Sequence, residues 1–209
     1  MKKLILMAAV IAAVAGRSYA QQTRDAFSFG LKIGSNYSNV YDSQGDKFAA
    51  DGKYGLAAGA FLSLPLGKFI GLQPEVIYSE KGFKGSGSFL GSNYSATRTT
   101  SYIDVPLLLA VKPISFLTIL AGPQYSFLIK QNNNFTSSLA TVDQQKIFDN
   151  DNVRKNVLGL TGGVDINLSN FVIGARAGWD VQNNNGDGSS TTPRYKNAWY
   201  QATLGYRFL

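Results

Sequence analysis

Six charged residues occupy positions that alternate with apolar residues along the chain, and Arg176 shows the pattern. In the stretch 171-FVIGARAGWD-180, one set of alternate residues is apolar, and the other contains two glycines, Arg176 and an aspartate. Carboxylates and cations on such faces can take part in acid–base catalysis, or they can neutralise one another in ion pairs. The six residues are Lys32, Glu75, Asp104, Asp165, Arg176 and Arg207.

The absence of histidine and cysteine restricts this chemistry. Neither residue occurs in the chain, which excludes histidine-based acid–base catalysis, Ser-His and Cys-His nucleophiles and the usual zinc sites. Glu75 and Glu80 are the only glutamates, so a catalytic carboxylate pair has few candidates. We predict a protein that is not an enzyme and that holds no metal and no cofactor.

The elements that carry these residues are predicted to be β-strands. A period of two residues places alternate side chains on opposite faces of a strand. The pattern recurs in eight segments of about ten residues, the length that a tilted strand needs to cross a bilayer. The segments are 27–34, 56–64, 70–79, 102–111, 117–127, 158–167, 171–180 and 200–208.

The connections between these segments fall into two length classes. Short turns on one side of the membrane and long loops on the other are typical of outer-membrane barrels, with both chain termini in the periplasm. An even number of antiparallel strands also closes the sheet without an unpaired edge in lipid. The predicted short turns are 65–68, 112–115 and 169–170, and the predicted long polar loops are 41–53, 82–98, 130–155 and 182–197.

The first twenty residues are predicted to be a cleavable secretory signal. Two lysines precede an apolar run, residues 4–15, that is too short to cross a membrane as a helix. The sequence Ser18-Tyr19-Ala20 supplies small residues at the two positions that a signal peptidase recognises, which predicts cleavage after Ala20. Residues 21–209 would then form one mature domain.

The charge of the mature chain gives no sign of a nucleic-acid partner. Lys2, Lys3 and Arg17 belong to the signal, so 17 of the 20 basic residues remain against 13 acidic ones, a net charge of +4. The remaining basic residues are scattered along the sequence rather than clustered with aromatic residues. We therefore expect no interaction with DNA or RNA.

The signal, the segment lengths and the turn asymmetry together favour an all-β fold, an eight-stranded antiparallel up-and-down transmembrane β-barrel with its apolar faces in lipid. Aromatic residues near the strand ends suit the two interfacial belts of such a barrel; they are Tyr78, Trp179, Tyr200 and Tyr206. Alternation alone also fits a secreted soluble barrel that binds an apolar ligand, as lipocalins do. That alternative requires the apolar faces inside and the charged residues outside.

In the membrane interpretation, the six charged residues point into the lumen. An eight-stranded barrel is just wide enough to be filled by side chains, so we expect a lumen charge network with Arg176 and Glu75 as its central pair. The network is expected to plug the barrel, and a narrow pore is the alternative. The expected role is structural or a surface interaction through extracellular loops, whose partner the sequence does not identify.

Five segments of the chain resemble a known family. In order they are FSFGLKIGSNYSN, GLQPEVIYSEKGFK, SYIDVPLLLAVKP, TILAGPQYSFL and NAWYQATLGYRFL. Together they resemble the PorT family of outer-membrane β-barrel proteins of Bacteroidetes, over nearly the whole mature chain. The resemblance implies an OmpA/OmpX-like eight-stranded barrel in the outer membrane, and nothing in the sequence points to a secretion role.

The last strand is similar to the signal that the outer-membrane assembly machinery recognises. Tyr200, Leu204, Tyr206 and Phe208 lie on one face of this strand. The pattern departs from the usual one because the last aromatic residue, Phe208, is penultimate. Outer-membrane lipid and the assembly machinery are therefore the expected partners.

Overall fold

The protein forms one closed antiparallel β-barrel. The computed structural model describes residues 27–42, 50–89, 92–136, 154–184 and 195–208. Each strand pairs with the next, and the last pairs with the first, which confirms the predicted all-β, eight-stranded barrel. The strands are β1 (Ser28–Asp42), β2 (Asp51–Pro65), β3 (Ile70–Phe89), β4 (Ser92–Ile114), β5 (Leu117–Thr136), β6 (Asn156–Leu168), β7 (Phe171–Asp180) and β8 (Tyr195–Arg207).

The predicted signal peptide and most of three predicted loops lie outside the residues that the structure describes. The predicted signal peptide, residues 1–20, and its cleavage site after Ala20 lie outside the described residues. Most of the predicted loops 41–53, 130–155 and 182–197 also lie outside them. Within the described ranges, no helix is both long and apolar enough to cross a membrane.

The apolar faces of the strands point outward. Ile173 and Leu204 are about half exposed, while Arg176, on the opposite face, is buried in the lumen. The same division holds along the other strands, whose exposed large side chains are mainly Leu, Ile, Val, Phe and Tyr. This orientation agrees with the membrane interpretation and is opposite to that required by a soluble ligand-binding barrel.

The two ends of the barrel differ. At one end, the short-turn end, residues 66–69, 115–116 and 169–170 connect neighbouring strands. At the opposite end, here called the long-loop end, the prediction of a loop over 82–98 is wrong. β3 continues to Phe89 and β4 begins at Ser92, with paired residues along this whole hairpin. The Gly, Ser and Asn residues of this stretch favour a loop, but cross-strand hydrogen bonding holds it as a sheet.

Three strands extend well beyond the others at the long-loop end. β3, β4 and β5 contain 20, 23 and 20 residues, whereas β6 and β7 contain 13 and 10. We call residues 80–89, 92–101 and 130–136 the extended sheet. The outward-facing residues change from apolar to polar where the extended sheet begins. This change marks the boundary between the barrel wall and the part of the sheet that projects beyond it.

Candidate functional site

The lumen contains a neutral network of two cations and two carboxylates near the short-turn end, here called the lower network. Lys32 on β1 forms an ion pair with Glu75 on β3. Arg176 on β7 contacts Asp165 on β6, with 2.7 Å between Nη1 and Oδ1. Gln73 links the two pairs, since its Nε2 donates to Glu75 at 2.8 Å and to Asp165 at 3.1 Å. All of these charged side chains are at least nine-tenths buried.

The expected central pair, Arg176 and Glu75, is in contact but is not the shortest contact in the lower network. Arg176 Nη2 lies 3.6 Å from Glu75 Oε1, farther than its 2.7 Å contact with Asp165. Glu75 is instead engaged mainly by Lys32. Each buried charge therefore has an opposite charge beside it, which offsets the large cost of removing ions from water.

Glycines on β7 leave space for side chains of the neighbouring strands. A Cβ added at Gly174 would lie 2.6 Å from Thr203 Oγ1 and 2.9 Å from Asp165 Oδ1. A Cβ at Gly178 would lie 2.4 Å from the Trp199 ring. The alternation Gly-Arg-Gly on the inward face of β7 thus reflects space taken by neighbouring strands, because atoms at such distances overlap.

A second polar layer lies nearer the long-loop end and is here called the upper layer. Lys81 Nζ lies 3.0 Å from Asp104 Oδ2, 3.8 Å from the centre of the Trp199 ring and 5.0 Å from that of Tyr102. Such positions over aromatic rings attract a cation through the ring quadrupole. Asp104, expected in one network with Glu75, instead neutralises Lys81 in this layer.

Lys81 is absent from the predicted lumen network because the predicted third strand ends at residue 79, whereas β3 continues to Phe89. The signal was present, since the inward alternation Glu75, Ile77, Ser79 continues through Lys81 to Phe83, all of which are buried. Trp199 was missed for a similar reason, because the last strand begins at Tyr195 rather than at Tyr200.

Arg207 lies outside both polar layers. Its Nη2 donates a hydrogen bond to Asn167 Oδ1 at 2.6 Å, close to the short-turn end. Asn170 Nδ2 donates to its backbone carbonyl at 2.9 Å. Of the six predicted lumen residues, the structure therefore brings four into the lower network and places Asp104 and Arg207 elsewhere.

Two small apolar clusters accompany the polar layers. Leu108, Ala110 and Leu120 form one on β4 and β5, beside the lower network, since Leu108 is the cross-strand partner of Gln73. Val40, Phe83 and Tyr195 form the other at the long-loop end. Arg98 links the second cluster to β5. Its Nη1 donates a hydrogen bond to the Tyr195 hydroxyl at 2.9 Å, and its Nε donates one to Asn133 Oδ1 at 2.9 Å. One apolar cluster thus lies beside the lower network, and the other lies beyond the upper layer.

Aromatic residues cluster on the outer face near the short-turn end. The rings of Phe171 and Tyr206 are 5.3 Å apart, and those of Tyr206 and Phe208 are 5.2 Å apart. Trp179 and Tyr200 lie toward the other end of their strands and are also exposed. The predicted assembly residues, Tyr200, Leu204, Tyr206 and Phe208, therefore all face outward.

An apolar exterior around an interior of paired charges defines an integral membrane β-barrel. Residues 19–184 match the protein family described as Outer membrane protein beta-barrel domain. The chain belongs to this family and is an outer-membrane β-barrel protein. No curated protein matches its sequence.

Several solved structures are similar in fold. They include Ail, the attachment invasion locus protein of Yersinia pestis, at 13% identity and a TM-score of 0.46, covering 87% of this chain and 98% of that one. Neisserial surface protein A has 11% identity and a TM-score of 0.46 over 88% and 99% of the two chains. OprG of Pseudomonas aeruginosa has 13% identity and a TM-score of 0.46 over 90% and 99%. Likeness at this level concerns the barrel fold alone.

Proposed function

We propose that this protein is a non-enzymatic, non-conducting outer-membrane barrel that holds a polar β-sheet at the cell surface as an interaction surface. A signal at residues 1–20, cleaved after Ala20, would export the chain. The exposed face of β8 with Tyr200 and Phe208 would be presented to the assembly machinery. The short-turn end would then lie in the periplasm, and the extended sheet would lie outside the cell.

The observation that carries the proposal is the enclosed lumen. The lower network has no more than 6% of any charged side chain exposed, and the upper layer no more than 2%. Ion passage requires a continuous hydrated path, and charges that are paired and buried to this degree argue against one. A barrel that conducts nothing must act through its outer surfaces, where loops and projecting elements carry function in many proteins.

The extended sheet provides the second support. Its β4 is paired on both sides, up to Ser95 on β4 with Thr136 on β5. Among the described residues, the β6 side of β5 pairs only as far as Phe127 with Asn156, followed by a hydrogen bond from the Leu128 amide to the Lys155 carbonyl. An open strand edge offers backbone donors and acceptors to a partner.

The resemblance to the PorT family is part of the proposed architecture. The five PorT-like segments include much of β3, β4 and β8, which support the barrel wall rather than a recognisable ligand site. We therefore extend the resemblance to architecture and outer-membrane location, and not to a role in secretion.

Thiol accessibility in whole cells tests the proposed orientation, since the chain contains no cysteine. Single cysteines would replace Asn134 in the extended sheet, Ile173 on the outer barrel face and Lys68 in a short turn. We expect a membrane-impermeant reagent to label Asn134→Cys in intact cells, Lys68→Cys only after permeabilisation, and Ile173→Cys only after denaturation. Labelling of Lys68→Cys in intact cells without labelling of Asn134→Cys would reverse the orientation.

Planar-bilayer recording tests the closed lumen. We expect the purified barrel to insert without discrete conductance steps. Reproducible conductance steps that change in size when Glu75 is replaced by glutamine would establish the narrow pore instead. A change of charge in the lumen alters the conductance only if ions pass through the lumen.

A further inference from the structure

Asp180, the last residue of β7, is a buried carboxylate that has no cation of its own. The residue is 1% exposed, and within the described ranges no lysine or arginine forms an ion pair with it. Lys81 attracts it most strongly, but the Lys81 ammonium lies 3.0 Å from Asp104 Oδ2. Arg98, another buried cation at this end, donates to the second apolar cluster and to β5. Two buried carboxylates thus share one ammonium, which is costly in a region of low dielectric.

The hydrogen bonds that the Asp180 carboxylate accepts all fall on one of its two oxygens. Oδ2 accepts from Asn197 Nδ2 at 2.6 Å, from the Asn197 backbone amide at 3.2 Å and from Asn184 Nδ2 at 3.4 Å. Among the described residues, no hydrogen bond ends on Oδ1. An ionised carboxylate only accepts, at about four positions, so Oδ1 is open to a ligand that brings positive charge.

The turn that follows β7 contains further oxygens without partners. Asn184 is fully buried, and its side-chain Oδ1 accepts no hydrogen bond. Asn183 Oδ1, one residue earlier, is also buried and unpartnered. In the described part of the chain, the other buried side-chain atoms of this kind are nitrogens, the Nε atoms of Arg176 and Arg207. Buried polar atoms nearly always have a partner, and what these oxygens lack is a donor or a cation.

The geometry at Asn184 fits a shared cation better than a hydrogen bond. Its backbone is fixed, because its amide donates to the Tyr195 carbonyl at 2.9 Å and its carbonyl accepts from the Arg154 amide at 2.9 Å. A half-turn of the side-chain amide exchanges its oxygen and nitrogen, and would place the oxygen at the 3.4 Å position beside Asp180 Oδ2. Two oxygens that bind one Ca²⁺ roughly at right angles are about 3.3–3.7 Å apart, whereas N–H···O bonds are usually shorter than 3.4 Å.

We propose that Asp180 and Asn184 bind a hard divalent cation of the size of Ca²⁺, with water completing its coordination. Carboxylate and amide oxygens are the ligands that this class of ion prefers, and a site with one carboxylate is expected to have a Kd of about 10⁻⁴–10⁻³ M. The cation would join the end of β7 to the turn after it and, through Asn197, to β8. The sequence-based expectation of a metal-free chain rests on the lack of histidine and cysteine, and an oxygen site needs neither. The inference is independent of the proposed surface role of the extended sheet.

Terbium luminescence tests the site directly, because Tb³⁺ occupies calcium sites and emits when a nearby tryptophan absorbs light. The two tryptophans of the chain are both close, since Trp179 precedes Asp180 and Trp199 lies two residues after Asn197. The full mature barrel would be treated with chelator in detergent micelles and titrated with Tb³⁺. We expect saturable emission that Ca²⁺ displaces at about 10⁻⁴–10⁻³ M and that Na⁺ of equal ionic strength leaves unchanged. No saturable emission, or emission that Ca²⁺ does not displace, would overturn the proposal.

Two variants and a matched control separate this site from other oxygens of the chain. Asp180→Asn keeps the shape of the side chain and should weaken Ca²⁺ binding at least about tenfold, since affinity follows the charge of the ligands. Asp51→Asn removes an exposed carboxylate at the same end of the barrel and should change nothing. Asn184→Asp adds a charged oxygen and should tighten binding about tenfold, whereas a residue that only donates to Asp180 would bring no gain. Equal effects of Asp180→Asn and Asp51→Asn, or no gain in Asn184→Asp, would refute the site.

Discussion

The two polar layers of the lumen each bury a lysine, and they neutralise it in different ways. In the lower network, Lys32 depends on Glu75, which also contacts Arg176 at 3.6 Å and is held by Gln73. In the upper layer, Lys81 has an ion pair with Asp104 and two aromatic rings at 3.8 and 5.0 Å, and the buried carboxylate of Asp180 also attracts its charge. The first arrangement couples every charge to the others through direct contacts, whereas the second distributes the stabilisation between carboxylates and neutral rings.

This difference should decide how each layer responds to loss of a carboxylate. Removing one partner of a buried ion pair leaves an uncompensated charge in a region of low dielectric, which is strongly destabilising. An aromatic ring still attracts the cation after the carboxylate is neutralised. The lower network should therefore be fragile to single substitutions, and the upper layer more tolerant.

The largest effect is expected from Glu75→Gln. This change keeps the shape of the side chain but leaves Lys32 without its ion-pair partner, and we expect the free energy of unfolding to fall by about 3–5 kcal/mol. Urea unfolding of the folded barrel in detergent micelles would measure it. Asp51→Asn, at an exposed carboxylate, is the control and should change the free energy by about 0.5 kcal/mol or less.

Asp104→Asn makes the equivalent change in the upper layer. Because Trp199, Tyr102 and the buried carboxylate of Asp180 still attract the Lys81 ammonium, we expect a loss of only about 2 kcal/mol in the same assay. A loss as large as that of Glu75→Gln would show that the rings and Asp180 contribute little. The two layers would then respond alike to the loss of a carboxylate.

Gly178→Ala tests how tightly the Trp199 ring of the upper layer is packed. The added methyl group would meet Trp199 at 2.4 Å, and overpacking of this kind costs about 1–3 kcal/mol. Gly174→Ala would meet the Thr203 hydroxyl at 2.6 Å and Asp165 Oδ1, which Arg176 holds, at 2.9 Å, so it should cost a similar amount. Gly67→Ala has no atom within 4 Å of its added Cβ and serves as the control; a cost there equal to that of Gly178→Ala would rule out the steric explanation.

The smallest effect is expected when both members of the Lys32–Glu75 ion pair in the lower network are replaced. Lys32→Met combined with Glu75→Gln leaves Arg176 and Asp165 as a neutral pair, so the double variant should lose only about 1 kcal/mol relative to the wild type. The measurement is a double-mutant cycle by urea unfolding. Additive losses would mean that Lys32 and Glu75 are not coupled, contrary to their contact.

Much of the barrel could be predicted because strand alternation is a local property. Every second side chain of a strand points the same way, so the opposite faces of Ile173 and Arg176 follow from the sequence without knowledge of strand pairing. The error at 82–98 has a physical cause as well. Glycine and serine disfavour strands only slightly, and the ladder of hydrogen bonds between β3 and β4 outweighs that preference.

The contacts within the lumen could not be predicted in the same way. The inward direction of Lys32, Glu75, Asp165 and Arg176 follows from the sequence, but the choice of partner depends on how far each strand is staggered against the next. In the barrel, Arg176 pairs across with Gly163 and sits diagonally to Asp165, so its guanidinium reaches Asp165 before Glu75. Stagger is a property of the whole closed sheet rather than of any one strand.

The sequence by itself therefore determined the class, the two faces and the chemistry available inside: no histidine, no cysteine, and a set of cations and carboxylates of nearly balanced number. Only the tertiary structure decided that these charges form two separate layers, that Lys81 and Trp199 complete the upper one, and that β3, β4 and β5 project as a sheet. The physical reason is that periodicity is encoded within each strand, whereas register and closure arise from hydrogen bonding among all eight.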